Sequence, residues 1–300
     1  MISIVLGAAA GGGFPQWNAH SPGCERARAG DPKARPRSQT SLAVSGDGRN
    51  WVLLNASPDL RQQIEATPRL HPHEGIRSSP LRDVVLTNGD IDAIAGLLTL
   101  RERHPFTIHA TAAVQAVLAA NPIFNALAAD LVRRESLRLD QPVTLATCGL
   151  TIEGFAVPGK TPLYLERSAV PPIGETEEVI GVLVGDGRRR LAFVPSCAAM
   201  TDGLARRLQG VDAVFFDGTL WQDDELIRSG AGTKTGRRMG HMSLAGSDGV
   251  LAAFRPIDVG RKILIHLNNS NPALLDDSSE RAEVEAAGWE VSYDGMEVTL

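Results

Sequence analysis

The sequence predicts an α/β protein in which helices cover both faces of layered β-sheet, organised as one domain over residues 1–300. Three observations carry this. Short apolar runs rich in Val, Ile and Leu alternate with helix-like stretches, and the order of strands followed by alternating strand and helix recurs over two halves. No linker-like or biased segment divides the chain. The 300 residues are 43% hydrophobic and 22% charged, enough to bury a sizeable core.

Taken in order, 2–7 reads as a buried first strand. It runs into Ala8-Ala9-Ala10-Gly11-Gly12-Gly13-Phe14-Pro15, where consecutive glycines allow close backbone approach or positive φ. Pro15, where a helix would have to start, argues against a phosphate cradle. The polar run 31–37 is a surface loop. Strands at 40–44 and 51–55 flank Gly46-Asp47-Gly48 as a hairpin, and Ser57-Pro58 opens a helix with Ser57 as N-cap. The strand ending at Thr87 passes through Asn88-Gly89-Asp90-Ile91-Asp92 into a helical pattern that begins at Ile94. Further strands are expected at 106–110, 150–158, 179–184, 190–194, 213–219 and 262–267. Helices are expected at 111–121, 124–134, 201–208, 247–254 and 279–288, and a closing hairpin at 289–300.

Composition narrows the function classes. A formal net charge of -5 argues against a general nucleic-acid binder. No apolar run approaches the roughly 20 residues of a membrane span, and no secretory leader precedes the first strand. The three cysteines, Cys24, Cys148 and Cys197, are too widely spaced for a disulfide framework, so a reducing cytoplasm is the expected compartment.

The chemistry centres on Asp90 and Asp92. Carboxylates that close repel unless a cation or proton sits between them; the plainer reading has one of them capping the helix. Other polar residues also gather where strands end: Asn55 and Asp59, 195–197, Asp217, Gly240-His241-Met242-Ser243, and His266-Leu267-Asn268-Asn269. Layered α/β folds build their sites at such edges. His241 follows a Gly-rich stretch, 230–240, with the character of a lid. Two histidines with two close aspartates make a two-His-plus-carboxylate set, suited to non-haem Fe(II). His20 and Cys24, four apart, are too few for a zinc site. Cys148 reads as structural, and Cys197 is a weak nucleophile because no Cys–His motif accompanies it. His71, His73, His104 and His109 read as surface or satisfied residues, and Glu175, Glu177 and Glu178 as a solvated face.

Several motifs resemble one known family across nearly the whole chain. They include Gly11-Gly12-Gly13-Phe14-Pro15-Gln16-Trp17-Asn18, Pro36-Arg37-Ser38-Gln39-Thr40-Ser41, Leu54-Asn55-Ala56-Ser57-Pro58-Asp59, Leu86-Thr87-Asn88-Gly89-Asp90, Met239-Gly240-His241 and His266-Leu267-Asn268-Asn269-Ser270-Asn271-Pro272. In these the chain resembles the coenzyme PQQ synthesis protein B family. The resemblance implies a metallo-β-lactamase fold, a four-layer αββα sandwich. It also implies a part in pyrroloquinoline quinone (PQQ) biosynthesis, either as an iron-dependent oxygenase hydroxylating a tyrosine-derived precursor or as a carrier of PQQ or a precursor. On this reading Asp90, Asp92, His241 and His266 hold Fe(II), and Asp217 and His241 are the catalytic groups. Gln16, Trp17, Arg37, Ser38, Gln39, Lys234, Asn268 and Asn269 bind an acidic precursor, a small molecule or dipeptide, since Arg and Lys pair well with carboxylates. No nucleic acid or membrane partner is expected, and a homodimer is compatible with the sequence.

Two departures from the pattern matter. The superfamily carries His-x-His-x-Asp-His on its central loop; aligned on Asp92, these positions read Asn88, Asp90 and, last, Ala93. Losing those imidazoles argues against a dinuclear zinc hydrolase. The family's own loop is Asp-x-Asp-His, so Ala93 removes one donor, and restoring histidine there is expected to strengthen iron binding and hydroxylation together. Near the N-terminus the family's Cys-x-Cys-x-x-Cys zinc knot reads Ala19, Ser21 and Cys24, so a structural zinc is not expected.

Overall fold

The β-branched runs become strands, and strand pairing assembles them into two sheets. The structure is a computed structural model that describes residues 1–166 and 172–300. In chain order the strands are β1 (Ile2–Gly7), β2 (Ser41–Ser45), β3 (Trp51–Leu54), β4 (Leu81–Val85), β5 (Phe106–Ala110), β6 (Val132–Ser136) and β7 (Val143–Leu145). They continue as β8 (Leu150–Gly159), β9 (Gly174–Gly185), β10 (Arg190–Val194), β11 (Val211–Asp217), β12 (Val259–Ile265), β13 (Trp289–Val291) and β14 (Glu297–Thr299). Among the described residues they form two seven-stranded sheets, ordered β14-β1-β2-β3-β4-β5-β6 and β13-β12-β11-β10-β9-β8-β7. Each sheet has a parallel half, β3 to β6 in one and β10 to β13 in the other.

Alternation along the central strands sorts their side chains into three cores. Val5, Leu54 and Val85 face Val182, Phe193, Phe215 and Ile263 between the sheets. Ile4, Leu53 and Val84 point outward to meet Leu60, Val114 and Leu118 of the helices Leu60–Ala66 and Ala112–Ala120. Val214, Phe216 and Leu264 point outward on the second sheet, against Leu204, Leu208 and Val284 of Asp202–Leu208 and Ser279–Ala286. The layers therefore run αββα. Strands buried on both faces read as unbroken apolar runs, which is why they stand out in the sequence.

Three local expectations change. Residues 124–134 do not form a helix: a 3-10 turn, Pro122–Ala126, gives way to β6, which pairs with β5 at the sheet edge. Its exposed Arg133, Arg134 and Glu135 suit an edge strand that must not recruit another chain. Residues 289–300 do not form a hairpin either. β13 pairs with β12 and β14 with β1, so the chain crosses between the sheets. Asp294 anchors that crossing by accepting hydrogen bonds from the backbone N–H groups of Ala8 and Ser38. Finally, Ser57 does not cap its helix, which begins at Leu60; its hydroxyl donates to Gln63 Oε1 instead.

Candidate metal centre

Parallel strands deliver their C-terminal ends to one edge, and here the ends of β4, β11 and β12 bring Asp90 and Asp92, Asp217 and Thr219, and His266 together. Asp217 is fully buried. Its carboxylate accepts from the backbone N–H groups of Cys197 (2.9 Å) and Thr219 (3.0 Å), from Thr219 Oγ1 (2.6 Å), and pairs with His241 Nδ1 (2.7 Å). With Nδ1 engaged, the nitrogen left to His241 for any ligand is Nε2. Thr219 treats the second ring alike: its Oγ1 lies 2.8 Å from His266 Nδ1. The two imidazoles stack with centroids 5.3 Å apart.

His266 Nε2 lies 2.9 Å from Asp92 Oδ2. The His266 backbone is held at φ 62, the left-handed region that non-glycine residues seldom enter. Such strain persists where surrounding structure enforces it and is concentrated at functional sites. Burial disfavours the charged His266 ring, but the hydrogen bond and charge of Asp92 outweigh it and raise its pKa above the ordinary imidazole value. Burial likewise works against charge on Asp92, but bonding to His266 wins and holds that carboxyl below its usual range. Asp90 has no such partner; burial first, and then the charge of Asp92, push it up to about 6. Asp90 occupies the helix N-cap position without making a side-chain capping bond, so the plain capping role is not the one its side chain plays.

Asp90, Asp92, Thr219, His241 and His266 line a cavity of about 350 Å³ together with Asn88, Lys160, Ser196, Lys234 and Asn268, and Asp217 lies behind its wall. Among the described residues, Asp217, His241 and His266 each offer a donor atom within 4.8 Å of the others. The donor set of two imidazoles, each fixed through Nδ1, with carboxylates beside them fits a divalent transition metal better than an all-oxygen ion. The cavity thus brings together all four residues expected to bind metal, and it adds Asp217 and Thr219 behind the rings.

The expected substrate residues divide. Lys234 and Asn268 line the cavity. Gln16 and Asn269, bonded to each other at 2.7 Å, line a neighbouring cavity of about 760 Å³ that meets the first at Leu226 and Asn268. The other four are corrected. Trp17 is 85% exposed and lines neither cavity. Arg37 is buried, its guanidinium donating to the carbonyls of Ser292, Arg35 and Leu274; burial lowers its pKa to about 10. Ser38 donates to Leu6 O. Gln39 bonds Asp59 and accepts from Gly12 N–H, pinning the glycine loop. The motif they form is conformational, tying loops beneath the site.

Lys160 and Thr219 were not singled out by sequence. A lone Lys or Thr at a strand end carries no spacing signal, and only the position of Thr219 two residues past Asp217 hinted at it. Elsewhere Cys197 is buried, its Sγ donating to Ala199 O, and burial with Asp217 nearby drives its pKa well up, which disfavours a nucleophilic thiolate. His20 is exposed and pairs with Glu25, whereas Cys24 is turned into the core, so the two do not converge. His109 is buried against Asp83 at 2.8 Å.

Two helix-flanked sheets with a site on their common edge define a protein of the metallo-β-lactamase superfamily, and the profile of the beta-lactamase superfamily domain matches residues 50–267. Within that class the chain belongs to the coenzyme PQQ synthesis protein B family. It is 59% identical over 302 residues to coenzyme PQQ synthesis protein B of Gluconacetobacter diazotrophicus, covering 99% of this chain and 98% of that one. It is 54% identical to the Xanthomonas campestris protein, with complete coverage of both (100% and 100%). The crystal structure of zinc-bound PqqB from Methylobacterium extorquens superposes with a TM-score of 0.97 at 50% identity, covering 100% of each chain. A diphosphatase of the PhnP family, at 20% identity and TM-score 0.71 over 100% of this chain and 97% of that one, shares the fold alone. Among the described residues no helix is long and apolar enough to cross a membrane.

Proposed function

We propose that this member of the PQQ biosynthesis family is a non-haem iron-dependent oxygenase that hydroxylates an acidic, tyrosine-derived precursor. The observation that carries the reading is the pair of imidazoles whose Nδ1 atoms are engaged by Asp217 and Thr219, facing one cavity with Asp90 and Asp92. Asp90 or Asp92, His241 and His266 would hold Fe(II), which when bound supplies the activation of dioxygen. Asp217 orients His241 and favours the tautomer with a free Nε2, while Thr219 holds Nδ1 of His266, whose Nε2 meets Asp92 Oδ2 at 2.9 Å. Lys160 and Lys234 give the cavity positive charge that suits a carboxylate-bearing substrate. Burial and the charge of Asp92 push the Asp90 carboxyl up in the metal-free protein, a repulsion that a bound cation would relieve.

Anaerobic Fe(II) titration with metal analysis tests this reading. One iron retained per chain, lost in His266→Ala, supports it; failure of the wild-type chain to hold Fe(II) removes the oxygenase. A specific observation, Ala93 in place of the family's histidine, favours a second reading in which the cavity binds or carries PQQ or a precursor without turnover. Ligand binding undiminished in iron-free protein, with no hydroxylation on reloading, would select that reading.

A further inference from the structure

A buried ion-pair bridge lies beside the metal cavity and joins two segments the chemistry depends on. Lys160 follows β8 and lines the cavity; its Nζ lies 2.9 Å from Glu166 Oε1 and donates to Thr161 O at 3.1 Å. Both side chains of the pair are 8% exposed. The same Glu166 carboxylate takes a two-pronged contact from Arg238, at 3.1 and 2.7 Å. Arg238 sits on the short helix Gly236–Met239, and His241 follows two residues after that helix ends.

A second contact links the same pieces. Gly240, at φ 92, stands between that helix and His241, and a Cβ there would lie 3.3 Å from Lys160 Cγ. The aliphatic stem of Lys160 therefore packs on the residue preceding a metal-facing imidazole. A buried ammonium without a counter-charge would shed its proton or turn to water.

We propose that Glu166 is a positioning residue that keeps Lys160 aimed into the cavity as the cation for a substrate carboxylate and, through Arg238, holds the segment carrying His241 in register. This rests on the reading of the substrate as a multi-carboxylate. Bridging one carboxylate between both segments couples anion binding to metal binding with no contact between Glu166 and either ligand.

The test uses the full chain and two probes, neither of which requires turnover. PQQ, a tricarboxylate, is titrated into chelator-treated protein, and Co(II) affinity is read from its d–d absorption. Lys160→Met keeps an unbranched stem against Gly240; it should weaken tricarboxylate binding about tenfold or more and leave Co(II) affinity within about threefold of wild type. Glu166→Gln should weaken both, Co(II) by about fivefold or more, less than the loss of a direct histidine partner because Glu166 acts through Arg238. Loss of only one property in E166Q, or of neither, overturns the coupling, as does K160M binding the tricarboxylate like wild type. Should E166Q not fold, Arg238→Met, which leaves Lys160 on Glu166, must lower Co(II) affinity and spare the tricarboxylate; the reverse overturns the proposal. If wild type fails to take up Co(II), the metal-centre reading falls, while the metal-free arm still decides the role of Lys160.

Discussion

Asp217→Asn isolates what a single carboxylate charge does behind the metal-facing rings. The variant keeps the shape of a fully buried side chain whose two oxygens accept four hydrogen bonds: Oδ1 from the N–H and hydroxyl of Thr219, Oδ2 from Cys197 N–H and His241 Nδ1. An amide presents one oxygen and one NH2, so either orientation sets two donors against each other. With NH2 toward Thr219, the N–H of that residue loses its acceptor. With NH2 toward His241, Cys197 N–H is orphaned, and the imidazole can accept only by moving its proton to Nε2, the nitrogen a metal would need. Leaving one buried donor unsatisfied costs about 1–3 kcal/mol, which urea denaturation would read directly. Loss of the outer partner of a histidine ligand lowers metal affinity about 10–100-fold. Asp217→Asn should therefore lose both stability and Co(II) affinity, while Asp217→Glu, which keeps the charge, is hurt by packing rather than by tautomer. Wild-type Co(II) affinity in a folded Asp217→Asn protein would refute the claim that this carboxylate sets the His241 tautomer.

Other perturbations test neighbouring parts of the same network. Thr219→Val removes the oxygen that touches Asp217, His241 and His266 while keeping volume; Co(II) affinity should fall about tenfold, and unchanged affinity would show that His266 is positioned without the Thr219 hydroxyl. Ala93→His meets a steric limit that the sequence does not reveal. Ala93 is 3% exposed, and the polar gap it shares with Asp92 and His266 is only about 10 Å³, so overpacking should cost about 1–3 kcal/mol, with no gain in iron affinity. A gain without loss of stability would mean the gap opens to admit the ring. The pH response of chelated protein follows from Asp90 and His266, whose pKa values are both raised by folding. Each contributes stability that is present below its unfolded value and lost as pH rises through its folded one. Chelated protein should therefore gain on the order of 2–3 kcal/mol from Asp90 on acidification from pH 7 toward 4. Metal-loaded protein should weaken over the same range as protons compete for the donors. Asp92, held below its usual range, yields its share only at lower pH. Identical pH profiles with and without metal would remove these groups from the site.

How much of this was legible in the sequence depends on whether a residue's partner is written nearby. β4, β11 and β12 stand out because both faces of each are buried, and an unbroken apolar run needs no partner to be recognised. The polar residue ending such a run must lie at the sheet edge, so Asp90, Asp92, Asp217 and His266 could be named before any coordinates. β6 could not, because Arg133, Arg134 and Glu135 are neutral between a helix surface and an edge strand until β5 offers its hydrogen bonds. The terminal strands failed for a related reason: alternation identifies β13 and β14 but not the sheet each one joins. Arg37 shows a deeper limit. A basic residue inside a family motif invites a substrate-binding role, yet three carbonyls 237 or more positions away, or two positions away in the case of Arg35, consume its donors. Lys160 is the opposite case, an unremarked lysine that lines the cavity with its Nζ 2.9 Å from the Glu166 carboxylate. A charged side chain's role is set by where its counter-charge lies, and that is a property of the fold. Residue type alone marks where chemistry is available; the pairing decides which of two similar cations reaches the cavity and which is spent on holding a loop.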